Sequence, residues 1–440
     1  MTPPSTLQDP LPSEPIDRLV APLDRFLHVE ATGGIVLLAC TVIALAIANS
    51  PLSEIYSRFW HTEVALEVGT WHLRFSLEHW INDGLMVLFF FVIGLEVKRE
   101  LVRGELRDLR SAALPLAGAL GGMVVPAAMY LVLIGPGPAV RGWGVPMATD
   151  IAFVVASMAM LGTRVPSRLR VMLLSLAIAD DIGAILVIAL GYSAGIAVVP
   201  LLLGLLGIGV VWVCERLGVR SFGVYTLLGV AIWVAFVKSG VHATIAGVLL
   251  GLLTPAMPYI SEGTFAQFVD RLRAVWRGGG TTNVAGTSAA NVRTLQRVAR
   301  ETVSPLDYLE SVLHPWVSFA IMPVFALANV GVRVHMAAVG NRVAVAVAVS
   351  LLLGKPLGIT LVSWLAVHLG LARQPAGVSW LQLTGGAALC GIGFTMAMFI
   401  ASLALDSEAL PAAKVGILAA SALASVLGLG ILSAAARRSS

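Results

Sequence analysis

The chain has 440 residues, of which 58% are hydrophobic and 12% are charged, and its mean hydropathy is +0.88. Soluble domains carry about 25% charged residues, and a soluble fold could not bury this much apolar surface. The composition therefore excludes a soluble protein, and the net charge of +4 gives no indication of nucleic-acid binding.

Twelve apolar segments follow one another along the chain. We interpret each as a membrane-spanning helix, because a spanning backbone must satisfy its own hydrogen bonds. They are Gly33–Asn49, Ile81–Lys98, Ala112–Ile134, Met147–Leu161, Val171–Leu190, Ile196–Val213, Tyr225–Val237, Val241–Leu253, Pro315–Ala328, Val343–His368, Leu381–Leu403 and Val415–Ala435. The fourth, seventh, eighth and ninth are short for a span, which needs about 17 residues or more.

Four regions follow from this division. Residues 1–30 are a predicted cytoplasmic segment, 31–253 hold helices one to eight, 254–314 form a long cytoplasmic loop, and 315–436 hold helices nine to twelve. Within the long loop, Phe265–Arg277 is amphipathic and predicts a surface helix, and the following Gly278-Gly279-Gly280 is typical of a flexible linker. The first loop contains two strand-like stretches, Thr62–Thr70 and Trp71–Phe75.

The basic residues predict the orientation. Both termini and the even-numbered loops hold 21 of the 29 Lys and Arg residues, whereas the odd-numbered loops hold seven. Basic residues are enriched in cytoplasmic loops, so both termini are expected in the cytoplasm. The one basic residue outside every loop is Lys355, in the middle of the tenth segment.

Three carboxylates also lie within apolar segments: Asp150 in the fourth, and Asp180 and Asp181 in the fifth. Each charge at mid-bilayer costs about 2.5–3.5 kcal/mol on insertion scales, so such groups must pair, bind an ion or titrate. A static network in which Lys355 neutralises one aspartate is the structural alternative. Three acids against one base leave carboxylates without a fixed partner, which favours a functional role.

Asp180 and Asp181 are adjacent, so their side chains point about 100° apart on a helix. Burial and mutual repulsion favour the protonated form of one carboxyl group, which could then exchange protons near neutral pH. Deprotonated carboxylate oxygens also suit a hard cation such as Na⁺. Competition between a proton and Na⁺ for one site is the simplest chemistry of an antiporter.

The backbone near these charges contains glycine and proline. Gly144 and Pro146 precede Thr149 and Asp150, and the eleventh segment contains Gly391 and Gly393. Short or interrupted segments in corresponding halves of a transporter indicate a binding site. Close helix packing through small residues is the alternative interpretation.

Eight motifs follow one another along the chain: Ile81-Asn82-Asp83-Gly84-Leu85-Met86, Gly94-Leu95-Glu96-Val97-Lys98-Arg99-Glu100, Ala148-Thr149-Asp150-Ile151-Ala152-Phe153, Ala179-Asp180-Asp181, Gly240-Val241-His242-Ala243-Thr244, Leu313-His314-Pro315-Trp316, Gly354-Lys355-Pro356-Leu357-Gly358 and Gly391-Ile392-Gly393-Phe394-Thr395-Met396. With these motifs in this order, the sequence resembles the NhaA-type sodium/proton antiporters across nearly all of Gly33 to Ala435.

The resemblance implies an all-α polytopic membrane protein with twelve transmembrane helices in inverted repeats, of which two are broken and cross near the midplane. It implies a secondary active transporter of the bacterial inner membrane, not an enzyme, that exchanges one Na⁺ or Li⁺ for two protons without a cofactor. It also implies a homodimer, for which the strand-like first loop is the candidate contact surface.

The resemblance also assigns residues. Asp180 and Asp181 are expected to bind Na⁺ and protons, while Asp150 and Lys355 balance the ends of the broken helices. Lys355 can pair with Asp180, and Thr149 is an expected oxygen ligand. The positions expected to govern the pH response are Glu96, Glu100, Glu310 and His314. Ser311, where comparable members carry histidine, and the long eighth loop depart from the family pattern.

Three other functions are alternatives to sodium/proton exchange. An intramembrane aspartyl protease needs facing aspartates on different helices, whereas Asp180 and Asp181 are adjacent and no Gly-x-Gly-Asp motif occurs. A passive cation channel would not require a buried lysine. A symporter for an organic anion would use Lys355 as the counter-ion but would not require three acids.

Overall fold

The computed structural model describes residues 30–68, 71–193, 195–219, 221–277, 293–294, 296–333 and 340–439. The predicted cytoplasmic segment lies outside the described residues except for its last residue, and so does the Gly278-Gly279-Gly280 linker.

The described chain is a helical bundle with one β-hairpin. Its elements are α1 (Glu30–Ala48), α2 (Ser53–Trp60), β1 (Glu63–Val68), β2 (Trp71–Ser76), α3 (Leu77–Arg103), α4 (Leu109–Ile134), a 3₁₀ helix (Pro138–Met147), α5 (Ile151–Met160), α6 (Ser167–Gly191), α7 (Val198–Arg216), α8 (Phe222–Ser239), α9 (Thr244–Leu253), α10 (Glu262–Arg277), α11 (Pro305–Asn329), α12 (Arg342–His368), α13 (Trp380–Leu389), α14 (Phe394–Ala404) and α15 (Leu410–Ser439).

The number of spans depends on how bent helices are counted. Within the described residues, eight helices are long and apolar enough to cross a membrane, or up to eleven if each of three bent pairs is one span. The ten-residue α9 is apolar but shorter. A polytopic membrane protein is therefore confirmed, and the count of twelve stays a prediction.

The β-hairpin confirms the strand-like character of the first loop. The two strands pair antiparallel, with Glu63 opposite Ser76 and Val68 opposite Trp71. The indole nitrogen of Trp80 donates to the carbonyl of Val64 at 3.1 Å, which ties the hairpin to the start of α3. The hairpin is therefore anchored to the helical bundle at its base.

The ninth predicted span begins earlier than the hydropathy pattern suggested. Helix α11 starts at Pro305, whereas the prediction placed the start at Pro315 and counted the residues before it as loop. Ser304 caps the helix by accepting from the backbone N–H of Asp307 at 3.1 Å, and Pro305 occupies the first helical position. The connection that follows α9 is correspondingly shorter than 254–314.

In the part of the chain that the structure describes, three π-helical turns interrupt the long helices, at Ile81–Leu85 in α3, Val317–Ile321 in α11 and Ser350–Gly354 in α12. Single π turns are rare in proteins, and those that occur are often found at functional sites. The third ends immediately before Lys355, so the backbone widens where the buried lysine leaves α12. Hydrophobic periodicity gave no indication of these turns.

Glycine allows α9 to pack closely on α3. A Cβ atom added to Gly247 would lie 2.3 Å from the carbonyl oxygen of Val87, which is backbone and cannot rotate away. We therefore expect Gly247→Ala to force the helices apart and destabilise the protein by about 1–3 kcal/mol. The matched control is Gly209→Ala on α7, where nothing lies within 4 Å of the added carbon.

Thermal unfolding of both variants in the same detergent tests this prediction. Gly209→Ala should match the parent protein or exceed it slightly, because alanine favours a helix over glycine by about 1 kcal/mol. Equal stability of the two variants would contradict the close packing of α3 and α9.

Candidate ion-binding site

Two bent helix pairs meet at the centre of the site. The 3₁₀ helix and α5 form the first pair, bent by 41°, and α13 and α14 form the second, bent by 51°. At the breaks, the backbone N–H of Asp150 donates to the carbonyl of Ile392 at 2.7 Å. The two interruptions therefore contact each other directly.

Asp150 lies at the N-terminal ends of both α5 and α14. Its Oδ1 accepts from the backbone N–H of Phe153 at 3.3 Å, and its Oδ2 accepts from the backbone N–H of Thr395 at 3.1 Å and from the Thr395 hydroxyl. Helix N-termini carry partial positive charge and unpaired N–H groups. One buried carboxylate thus caps two half-helices.

Lys355 extends from α12 to the C-terminal end of the 3₁₀ helix, on the other side of the first break from α5. Its Nζ lies 2.6 Å from Asp180 Oδ2 and also donates to the carbonyl of Met147, the last residue of the 3₁₀ helix. The lysine is 0% exposed. The ammonium group therefore neutralises one carboxylate and the partial negative charge at this helix end.

The adjacent aspartates on α6 have different surroundings. Asp180 Oδ2 lies near Lys355 and 2.8 Å from the hydroxyl of Thr149, which also lies 3.1 Å from the carbonyl oxygen of Cys390. Within the described residues, the second oxygen of Asp180 and the Oδ1 of Asp181 are buried without a hydrogen-bond partner. Both carboxylates are almost completely buried, at 1% and 3% exposure.

Two unpartnered carboxylate oxygens in a buried site can accept a proton or a hard cation. Leaving a buried acceptor unsatisfied costs about 1–3 kcal/mol, and more for a charged group. A binding partner for these oxygens would recover that free energy. The structure thus brings together Thr149, Asp150, Asp180, Asp181 and Lys355 from three regions of the sequence.

The positions predicted to govern pH response lie at the far end of α3 and the start of α11. Glu310 forms an ion pair with Arg99, and Glu100 accepts from the backbone N–H of Glu105 at 3.1 Å. Glu96 lies close enough to Glu310, Arg99 and Glu100 for their charges to interact. His314, one turn beyond Glu310, is exposed.

Glu96 also connects this cluster with the ion site. It is half-buried on α3, and its charge is close enough to interact with that of Asp181 on α6. A second ion pair, Arg103 with Asp307 at 2.7 Å, holds α3 and α11 together nearby. Glu96 is therefore the member of the cluster whose charge lies near Asp181.

Some contributors were not predicted from sequence as site residues. Thr395 binds Asp150 through both its backbone and its hydroxyl, and the carbonyls of Met147 and Cys390 face the polar centre. A threonine at the second position of a helix that follows a Gly-x-Gly break was an available signal. Backbone carbonyls carry no sequence signal, because every residue has one.

The family model described as Na⁺/H⁺ antiporter 1 matches residues 24–432. The chain is 52% identical over 423 residues to the Na⁺/H⁺ antiporter NhaA of Rhodopirellula baltica, covering 96% of each chain. It is 50% identical over 419 residues to the Na⁺/H⁺ antiporter NhaA of Rhizobium meliloti, covering 95% of each chain. It is also 47% identical to NhaA 2 of Acidiphilium cryptum, covering 98% of this chain and 96% of the relative.

Proposed function

Because this chain belongs to the Na⁺/H⁺ antiporter 1 family, a family of transporters and not of enzymes, we propose that it exchanges internal Na⁺ or Li⁺ for external protons electrogenically, by alternating access and under pH control. The observation that carries the proposal is the buried pair Asp180 and Asp181, each with an unpartnered oxygen, beside a buried Lys355.

Competition for the aspartates couples the two ions. In the proton-loaded form, Lys355 is charged and paired with Asp180, and Asp181 carries a proton. Na⁺ binds the carboxylate oxygens, with the Thr149 hydroxyl as a further ligand, and displaces both protons. Neither ion can then occupy the site with the other, so each crossing carries one Na⁺ or two protons.

The charge balance makes this exchange electrogenic. The proton-loaded centre formed by Asp180, Asp181 and Lys355 has no net charge. The sodium-loaded centre has two carboxylates, a neutral lysine and Na⁺, and its net charge is −1. One full cycle therefore moves one positive charge inward with the protons, and needs no bound cofactor.

Charged side chains stabilise the helix ends at the proposed exchange site. Asp150 brings negative charge to the N-termini of α5 and α14, and Lys355 brings positive charge to the C-terminus of the 3₁₀ helix. Such contacts are worth about 0.3–1 kcal/mol each and up to about 2 kcal/mol in partly buried geometry. Asp150 thus stabilises the break and is not a direct Na⁺ ligand in this proposal. We expect the contacting breaks to be where access alternates.

The pH response is assigned to Glu96, Glu100, Glu310 and His314. Support comes from the cluster that joins Glu96 to Arg99, Glu100 and Glu310, and from the proximity of Glu96 to Asp181. The combined variant Glu100→Gln/Glu310→Gln should move the pH of half-maximal exchange while retaining the maximal rate. An unchanged pH profile would contradict this assignment.

Orientation and assembly complete the proposal. Both termini lie in the cytoplasm, as the distribution of basic residues predicts, and the spans cross the inner membrane of a bacterial cell, as the family implies. The hairpin β1–β2 is the proposed contact with a second copy of the chain. Crosslinking through cysteines placed in the hairpin tests the homodimer.

Exchange itself is tested with purified protein in liposomes. Vesicles loaded with Na⁺ and diluted into Na⁺-free buffer should acidify inside as Na⁺ leaves. An interior-negative potential of 100 mV should shift the equilibrium Na⁺ gradient about 50-fold, since one charge moved is worth about 2.3 kcal/mol. A gradient that does not respond to potential would contradict electrogenic exchange. A sodium current without proton movement would indicate a channel.

A further inference from the structure

The 3₁₀ helix leads directly into the candidate ion site. Its last residue, Met147, accepts from Lys355, and Thr149 follows two residues later beside Asp180. Runs of 3₁₀ helix longer than three or four residues are uncommon, because their hydrogen-bond geometry is poor. This ten-residue segment therefore needs contacts from outside itself to hold its position.

Two buried tyrosines supply such contacts from neighbouring helices. The hydroxyl of Tyr130, on α4, donates to the carbonyl of Ala139 at 2.7 Å. The hydroxyl of Tyr192, directly after α6, accepts from the backbone N–H of Gly144 at 3.1 Å and donates to the carbonyl of Arg141 at 2.9 Å. Both side chains thus bind the backbone of the 3₁₀ helix, and neither hydroxyl bonds to a carboxylate of the ion site.

Two glycines permit this close approach. A Cβ atom added at Gly142 would lie 2.5 Å from the Tyr130 hydroxyl, and one added at Gly144 would lie 2.5 Å from the Tyr192 hydroxyl. Real Cβ atoms do not approach other atoms this closely, so any larger residue would displace the tyrosine. Glycine and tyrosine therefore form matched pairs on both sides of the 3₁₀ helix.

Tyr192 also connects the two parts of the site. It follows α6, the helix that carries Asp180 and Asp181, by a single residue. Its hydroxyl holds the segment that ends at Thr149 and Asp150. The eleven helical steps from Asp181 to Tyr192 span about 16 Å, so this contact lies well away from Asp181.

We propose that Tyr130 and Tyr192 are positioning residues for ion exchange, which hold the 3₁₀ helix so that Met147 and Thr149 meet Lys355 and Asp180. The inference rests on the proposed function, because the positioned groups are those of the exchange site. Neither tyrosine touches the transported ion, and each acts through the backbone that it binds.

The variants Tyr130→Phe and Tyr192→Phe remove only the hydroxyl groups and keep the rings packed. We expect Tyr130→Phe, which loses one hydrogen bond, to raise the KM for Na⁺ about 2- to 10-fold, with a smaller change in kcat. Tyr192→Phe loses two hydrogen bonds and should raise the KM by at least as much. The double variant should raise KM further. A merely structural role would lower the yield of folded protein without changing KM.

Tyr225→Phe is the matched control. The Tyr225 hydroxyl also donates to a backbone carbonyl, that of Val219 at 2.9 Å, but on α8 and outside the ion site. Its KM for Na⁺ should equal that of the parent protein.

A second pair of variants tests the contact itself. Gly144→Ala should raise KM by displacing the Tyr192 hydroxyl, and Gly144→Ala/Tyr192→Phe should raise it by less than the product of the two single effects. Independent effects of the two substitutions would contradict a direct contact.

The outcomes separate the two proposals. A parent protein that exchanges Na⁺ for protons while both tyrosine variants keep its KM overturns the positioning role alone. A parent protein that neither exchanges nor binds ²²Na⁺ overturns the proposed function and, with it, the positioning role.

Discussion

Replacing Asp181 by asparagine should abolish coupled exchange while leaving the protein folded. The substitution keeps the size of the side chain but removes the charge and the ability to bind a proton. Asp181 has a buried oxygen without a partner among the described residues, so a change at that oxygen removes no hydrogen bond of the described structure. The variant is therefore expected to lose both Na⁺ and proton binding at this position.

The expected loss is on the order of 100-fold or more in Na⁺-driven proton movement. A carboxylate in contact with Na⁺ contributes several kcal/mol even at an effective dielectric constant of about 20. The measurement is internal acidification of Na⁺-loaded liposomes, together with ²²Na⁺ binding to the purified variant. Both signals should fall together, because both ions use the same oxygens.

Asp406→Asn serves as the control for Asp181→Asn. Asp406 is exposed and accepts from the backbone N–H of Ala409 at 2.9 Å, a contact that asparagine can also make. Exchange by this variant should match the parent protein. If Asp181→Asn also exchanged at the parental rate, the assignment of the ion site would be wrong.

Replacing Lys355 by methionine should destabilise the protein strongly. Methionine fills a similar volume but leaves Asp180 buried without its cation, and removal of one partner from a buried ion pair costs about 3–5 kcal/mol. The Met147 carbonyl loses its donor as well. The exchange that remains should no longer respond to membrane potential, because the lysine carries one of the two protons in the proposed cycle.

A double-mutant cycle isolates the ion pair. Thermal unfolding midpoints are compared for Lys355→Met, Asp180→Asn and the combined variant, with the ten tryptophans as the fluorescence signal. The combined variant should be more stable than Lys355→Met alone, because no buried carboxylate is left unpaired. Additive effects would show that the two side chains do not interact.

Lys414→Met provides a comparison with another buried lysine. Lys414 is 8% exposed near the start of α15. Its removal leaves Asp180 paired with Lys355. We therefore expect a small change in the unfolding midpoint, and a loss as large as that of Lys355→Met would contradict the role of the ion pair.

Much about this protein could be determined from the sequence by itself. Its membrane class and the four unusual charges Asp150, Asp180, Asp181 and Lys355 follow from composition and position, and its family was indicated by the resemblance of its ordered motifs. The reason is that the cost of placing a charge in a bilayer depends on where it lies in its own apolar segment. A lysine in the middle of such a segment stands out before any fold is known.

The partners of these charges were decided by the tertiary structure. Lys355 and Asp180 are 175 positions apart, and Asp150 and Thr395 are 245 apart. Which carboxylate meets the lysine depends on how α6, α12 and the broken helices pack, and residue patterns within one segment carry no information on that packing. The resemblance to a known family pointed to Asp180, but the residues alone left the choice open.

Other features of the structure were also decided by tertiary packing. The early start of α11 at Pro305, the π turn before Lys355 and the contacts of Tyr130 and Tyr192 with the 3₁₀ helix leave little or no trace in hydropathy. Hydropathy reports the average environment of a segment, whereas these features depend on single backbone groups and on which helix lies beside them. The sequence by itself determined which residues must be accommodated in the membrane, and only the tertiary structure decided how they are paired, because pairing is a property of helices brought together from distant parts of the chain.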